Sequence, residues 1–70
     1  MDEKLFFKTF GINLKKQRLL QGNTQEQFAE LVDMHEKHIG KIETGNQNVT
    51  LRTINKLANA LNISAVKFFE

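Results

Sequence analysis

The 70-residue sequence predicts an all-α fold of five helices in a single domain, residues 1–70. Apolar residues recur at helical spacing in successive segments, and hydroxyl residues that commonly cap helices stand before several of those segments. No segment has the pattern of a pair of strands, and the chain contains no proline that would interrupt a helix. These observations together favour a small helical domain.

The first helix is predicted over residues 3–21, where Phe6, Phe10 and Leu14 fall on one face and Gly22 follows as a stop signal. A second apolar series lies almost opposite this face and recurs every seven residues. Its members are Leu5, Ile12 and Leu19. Either the helix is buried on two sides, or these residues are exposed, singly as is normal or against a partner; the sequence leaves these alternatives open.

Two short helices separated by a three-residue turn are predicted in the middle of the chain. Thr24 caps the first, over residues 25–32, and Gln27 completes a capping box. The second covers residues 36–44. The apolar residues expected to face the core are Phe28, Ala29, Leu31, Val32, Ile39 and Ile42. Such a pair forms a helix-turn-helix, here about residues 25–44, whose second helix fits the DNA major groove.

Two further helices are predicted near the C-terminus. Thr50 caps a fourth helix over residues 51–61, and Ser64 caps a short fifth. The fourth helix is expected to bury Leu51, Ile54, Leu57, Ala58 and Leu61. Water is an unfavourable environment for the Phe68-Phe69 pair, so we expect a core or a dimer contact there.

Charge and hydropathy restrict the class of protein. Ten Lys and Arg against eight Asp and Glu give a net charge of +2 and a pI near 9.2, which favours an anionic partner. No segment approaches the roughly 20 apolar residues of a membrane span, and the N-terminus has no apolar run of signal-peptide length. We therefore expect a cytoplasmic protein without a membrane partner. The absence of cysteine excludes disulfides and thiolate metal sites.

The polar stretch HEKHIGK, residues 35–41, allows three interpretations: a metal site, a catalytic site or a contact surface. Its histidines, His35 and His38, are spaced differently from the two of the metalloprotease motif, and no third ligand is evident. No nucleophile with base and acid partners is identifiable, and the core is too small to enclose a substrate pocket. We expect no metal, no cofactor, no small-molecule substrate and no enzymatic activity.

The contact-surface interpretation follows from helical geometry. If Ile39 and Ile42 point inward, steps of about 100° per residue turn Lys37, Gly40 and Lys41 outward. Two lysines on one face suit an anionic partner, although a merely solvated helix face has the same pattern.

The segment TQEQFAELVDMHEKHIGKIETGNQNVTLRTINKLANAL resembles the phage-repressor-type (Cro/repressor, XRE-like) helix-turn-helix family. The resemblance extends over about residues 9–69, and it implies a lambda-repressor-like fold. The short length, the run from residue 31 to residue 51 and the tail NISAVKFFE are most similar to controller proteins of restriction–modification systems. The matching positions are Phe10, Gly11, Leu14, Arg18, Thr24, Gln25, Phe28, Ala29, Ile39, Ile42, Glu43, Gly45, Leu51, Leu57, Ala58 and Leu61.

The resemblance implies roles for individual residues. Gln25 would bond a phosphate and brace the start of the third helix, and Arg18 would form a structural ion pair with Glu43. Side chains of the third helix would face the major groove, while the loop after it and Arg52 would lie near phosphates. The DNA-binding residues expected on this basis are Gln25, His35, Glu36, Lys37, His38, Lys41, Asn46, Asn48 and Arg52.

Four positions depart from the family pattern. Asp33 stands where glycine is common, and Val49 where proline is frequent. Glu36 and Gln47 stand where controller proteins tend to carry a basic residue. We expect the fold and the mode of docking to survive these changes, but the operator sequence does not carry over.

The expected function is a sequence-specific transcriptional regulator that binds a palindromic operator in double-stranded DNA as a homodimer, because one recognition helix makes too few base contacts. The dimer interface is expected at Ile63, Val66, Phe68 and Phe69. The alternative from another class is an antitoxin subunit, or a detached N-terminal DNA-binding domain that acts mainly as a protein-interaction module. Whether binding activates or represses does not follow from the sequence.

Overall fold

The computed structural model describes residues 2–70 and contains four α-helices and a terminal 3₁₀ helix. The α-helices are α1 (Glu3–Leu20), α2 (Gln25–Val32), α3 (Glu36–Glu43) and α4 (Leu51–Leu61), and the 3₁₀ helix is Ala65–Phe69. Residues 2–70 include no strand, so the all-α class is confirmed. The last element is a 3₁₀ helix instead of a fifth α-helix, and α1 and α3 each end one residue before the predicted position.

Side-chain caps explain where most of these helices begin. The hydroxyls of Thr24, Thr50 and Ser64 each accept a hydrogen bond from a backbone N–H in the first turn that follows. Gln27 returns a hydrogen bond to the backbone N–H of Thr24 and completes the predicted capping box. His35 occupies the N-cap position of α3 without a side-chain cap, so the packing of α3 must hold its first turn.

The turn between α2 and α3 has a left-handed residue, Asp33, with φ 54° and ψ 52°. Glycine takes this conformation without cost, whereas aspartate is one of the few other residues that visit it routinely. The departure from the family pattern at this position is therefore compatible with the same turn.

One core joins all five elements. It comprises Phe10, Leu14, Phe28, Ala29, Val32, Ile39, Ile42, Leu57, Ala58, Leu61 and Phe68. Three predicted core residues are wrong: Leu31 is 61% exposed, Leu51 is 84% exposed and Phe6 is 44% exposed. Leu31 lies to one side of the face that α2 turns inward through Phe28 and Val32, and Leu51 stands in the first turn of α4, before the buried turns.

The second apolar series of α1 is exposed. Leu5, Ile12 and Leu19 are 50%, 56% and 55% exposed, respectively. Helix α1 is therefore not buried on two sides within one chain, and these residues are either singly exposed or available to a partner.

Helix α1 meets α3 at a glycine, and this contact positions α3, the second helix of the helix-turn-helix. A Cβ atom on Gly11 would lie 2.3 Å from the backbone oxygen of Ile42 and 2.6 Å from that of Glu43. Only a residue without a side chain permits so close an approach. The C-terminal end of α3 is thus seated directly on the backbone of α1.

Candidate nucleic-acid interface

Helix α3 has one buried face and one exposed face. Ile39 and Ile42 are in the core, and about 100° per residue separates successive side chains around the helix axis. The side chains of Glu36, Lys37 and Lys41 are consequently exposed. The two lysines present positive charge on the outer face, and Glu36 lies in the first turn.

The exposed face of α3 forms one wall of an open groove of about 720 Å³. The lining also includes Gln47, a half-buried residue from the loop between α3 and α4. The remaining lining residues are His35, Glu36, Lys37, His38 and Lys41. Gln47 was absent from the predicted DNA-binding set, although its position in the polar run GNQN, and the basic residue that controller proteins tend to carry there, were signals for it.

The loop and the start of α4 carry the other predicted phosphate contacts. Asn46, Asn48 and Arg52 are exposed. The side chain of Asn46 donates a hydrogen bond to Thr44 Oγ1 at 3.0 Å, and its backbone N–H donates to the carbonyl of Lys41 at 2.9 Å. These bonds hold the loop against the end of α3, so the loop and α3 present their polar groups as one surface.

Gln25 braces the end of α3, not its start. Its Nε2 donates a hydrogen bond to Glu43 Oε1 at 3.0 Å, across 18 residues of sequence. Glu43 is the last residue of α3. The expected contact of Gln25 with the start of α3 is therefore wrong. Because α2 approaches Glu43, the amide of Gln25 bonds the C-terminal end of α3 instead.

Beneath this contact lies a buried ion pair. Arg18 Nε is 2.6 Å from Glu43 Oε2 and Arg18 Nη2 is 3.1 Å from Glu43 Oε1, which makes the pair bidentate. The two side chains are only 5% and 2% exposed. Arg18 Nη1 also donates to the carbonyl of Asn23 at 2.8 Å. The pair thus joins α1 to α3 and to the turn that precedes α2.

The C-terminal cluster divides between the core and the surface. Phe68 is completely buried against Phe10, with 5.1 Å between ring centroids, which leaves it no surface for a partner. Val66 and Phe69 are exposed, and Ile63 is half-buried. Phe69 stacks on Phe6 with 5.5 Å between centroids. The apolar surface at this end therefore combines the 3₁₀ helix with the first turn of α1.

Residues 2–70 contain neither a metal-binding cluster nor a membrane-spanning helix. Among residues 2–70, no group of three or more His, Cys, Asp or Glu side chains is arranged to hold a metal ion. Over the same residues, none of the helices is both long enough and apolar enough to cross a membrane.

Comparisons with known proteins all indicate the same family. The family profile described as helix-turn-helix (HTH_3) matches residues 14–68. The control protein C.SmaI of Serratia marcescens is 42% identical over 55 residues, which are 79% of this chain and 66% of that protein. This chain therefore spans just under two thirds of that relative's length.

Solved structures agree with the sequence comparison. The restriction-modification controller protein C.AhdI from Aeromonas hydrophila has a TM-score of 0.86 and 36% identity, with 90% of this chain and 96% of that chain covered. The controller protein C.Esp1396I, solved as a tetramer with its natural 35-base-pair operator, has a TM-score of 0.81 and 30% identity over 91% and 84% of the two chains. Because the profile covers well over half of its residues, this chain belongs to the helix-turn-helix family.

Proposed function

We propose that this protein is a sequence-specific DNA-binding transcriptional regulator of the restriction–modification controller type, acting in the cytoplasm. The observation that carries the proposal is the open groove beside α3 and the following loop, which is lined by charged and polar residues that include Lys37 and Lys41. Lysines supply phosphate contacts, and groove-facing polar side chains read base edges. The relatives at 42% and 36% identity are both controller proteins. This is a binding function, and no catalytic role is included.

The regulator should act as a homodimer on a palindromic site, with residues 1–70 as one domain. The exposed Val66 and Phe69 supply an apolar patch, with Ile63 at its edge, and a twofold interface uses the same patch on both chains. Burial of Phe68 removes it from the proposed interface. The operator-bound relative is a tetramer on 35 base pairs, so more than one dimer per operator is also expected here.

Selection of bound sites from random double-stranded DNA tests the proposal. One palindromic sequence should be enriched, and its affinity should fall with salt at a log–log slope of about −0.9 for each phosphate neutralised. Lys41→Ala should weaken binding to operator and unrelated DNA by similar factors if Lys41 contacts phosphate. Leu31→Ala, on an exposed side chain of α2, is the matched control and should leave affinity unchanged.

Failure to enrich any site, together with no binding at low salt, would contradict the regulator function. Such a result would favour the protein-interaction module. A protein that sediments as a monomer at high micromolar concentration and binds single half-sites equally well would contradict the dimer alone.

A further inference from the structure

The buried ion pair raises a question that stability does not answer. Replacing a buried pair by apolar residues of similar volume is often neutral or stabilising, so burial alone gives no reason for Arg18 and Glu43. We propose that Glu43 is a positioning residue that holds the side-chain amide of Gln25 in one orientation for contact with a DNA phosphate. This inference rests on the proposed function and assigns the ion pair a part in DNA binding.

The hydrogen bonds at Glu43 determine which way the amide of Gln25 points. The carboxylate receives N–H groups from Arg18 Nε, Arg18 Nη2 and Gln25 Nε2, at 2.6, 3.1 and 3.0 Å. A carboxylate only accepts hydrogen bonds, so the nitrogen of the amide and not its oxygen must face Glu43. One N–H of Gln25 is used in this way, and the second N–H remains for another acceptor.

The amide of Gln25 lies beside α3. Both Nε2 and Oε1 of Gln25 are 3.8 Å from the position that a Cβ atom on Gly40 would occupy. Gln25 is half-buried, and it stands at the first position of α2. Free backbone N–H groups and the helix dipole at that end favour an anion.

Restraint of Gln25 has a thermodynamic consequence. A glutamine side chain has several rotatable bonds, and ordering them upon binding opposes association. When Glu43 holds the amide in the free protein, the Gln25 side chain loses this conformational entropy during folding and not on DNA binding. The restraint depends on the burial of Glu43, because no water then competes for its oxygen atoms. Arg18 balances the charge of the buried carboxylate.

A double-mutant cycle on DNA binding tests the inference. The dissociation constant of the selected operator is measured by fluorescence anisotropy for Gln25→Ala, once in the native chain and once in the Arg18→Met/Glu43→Leu background. In the native chain the substitution should weaken binding by about 5- to 10-fold, as expected for one hydrogen bond. In the apolar background it should weaken binding by less than about twofold, because nothing then holds the amide.

A matched control separates positioning from general damage to the domain. Lys41 is exposed and forms no salt bridge with Arg18 or Glu43. Lys41→Ala should therefore reduce affinity by the same factor in both backgrounds. Circular dichroism establishes that the Arg18→Met/Glu43→Leu protein is folded before its affinity is compared.

A second measurement does not depend on the stability of that variant. In the NMR spectrum of the native protein, the side-chain amide protons of Gln25 should be shifted from those of exposed glutamines and should exchange slowly with water. Glu43→Gln removes the charge at nearly constant size and should move them toward the exposed range.

Each outcome is decisive. An equal effect of Gln25→Ala in both backgrounds, or amide protons of Gln25 that resemble exposed ones, would overturn the inference. If the native chain binds its operator but Gln25→Ala has no effect, the inference fails and the proposed function stands. If no operator is found, the proposed function fails, and the inference fails with it.

Discussion

Gly11 provides a test in which local and tertiary effects have opposite signs. In an isolated helix, alanine is more favourable than glycine by about 1 kcal/mol. In this structure a Cβ at position 11 would lie 2.3 Å from the carbonyl oxygen of Ile42 and 2.8 Å from the carbonyl carbon of Glu43. Both are backbone atoms, so no rotamer change can relieve the contact.

The expected magnitude follows from that distance. The contact to Ile42 is about 1 Å shorter than ordinary van der Waals separation, so α3 must move away from α1. Overpacking of this kind costs about 1–3 kcal/mol, and the moved segment also carries Glu43 out of its bidentate pair. We expect Gly11→Ala to lower the free energy of unfolding by about 2 kcal/mol after the helix gain is subtracted. For a domain of this size, that is a fall in melting temperature of about 8–16 °C.

Gly40→Ala is the matched control, because its Cβ would meet only the side chain of Gln25, at 3.8 Å. This is ordinary contact, so the helix-propensity gain of up to about 1 kcal/mol should appear as a rise in melting temperature. Thermal unfolding followed by circular dichroism measures both variants. The protein concentration is kept the same, because the expected dimer makes the melting temperature depend on concentration. If Gly11→Ala melts at or above the native temperature, the close seating of α3 on α1 is wrong.

Three further predictions concern stability and assembly. Arg18→Met should lower the free energy of unfolding by about 3–5 kcal/mol because it leaves Glu43 unpaired, and adding Glu43→Leu should recover part of this loss. If chemical denaturation shows that the two losses simply add, the pair is not coupled. Asp33→Gly should raise the free energy of unfolding by up to about 1 kcal/mol, because the residue has φ 54°; an unchanged melting temperature would show no strain there. Phe69→Asp should give a monomer in sedimentation while remaining folded, whereas Phe68→Ala should lose about 3–5 kcal/mol of stability; a dimeric Phe69→Asp protein would place the interface elsewhere.

The parts of the fold that were predictable are those with a local chemical signal. Helices α2 and α4 have the predicted bounds, and Thr24 and Thr50 cap them through hydrogen bonds inside the first turn. The all-α class likewise follows from periodicity alone. Periodicity failed at Leu31 and Leu51 because it indicates the face of a helix but not how far along that face the neighbouring elements reach.

The site was only partly predictable, because its defining contacts join distant segments. The family resemblance indicated that Gln25 is important, but its partner Glu43 is 18 residues away at the far end of α3. The place of Gln47 in the groove likewise depends on how the loop packs beside α3. No spacing within a single helix contains either fact.

The groove contains both positive and negative side chains, which affect the affinity for DNA and the specificity for its sequence differently. Lys37 and Lys41 attract any phosphate, whereas the exposed Glu36 beside them repels it. At the first turn of α3, Glu36 gains from the helix dipole, about 0.3–1 kcal/mol, and this gain is present without DNA. In the major groove, a carboxylate can accept a hydrogen bond from the cytosine amino group, and placement against an acceptor would be repulsive. The carboxylate of Glu36 therefore lowers the net attraction for arbitrary DNA, and only a site that places a cytosine amino group against it would offset this loss.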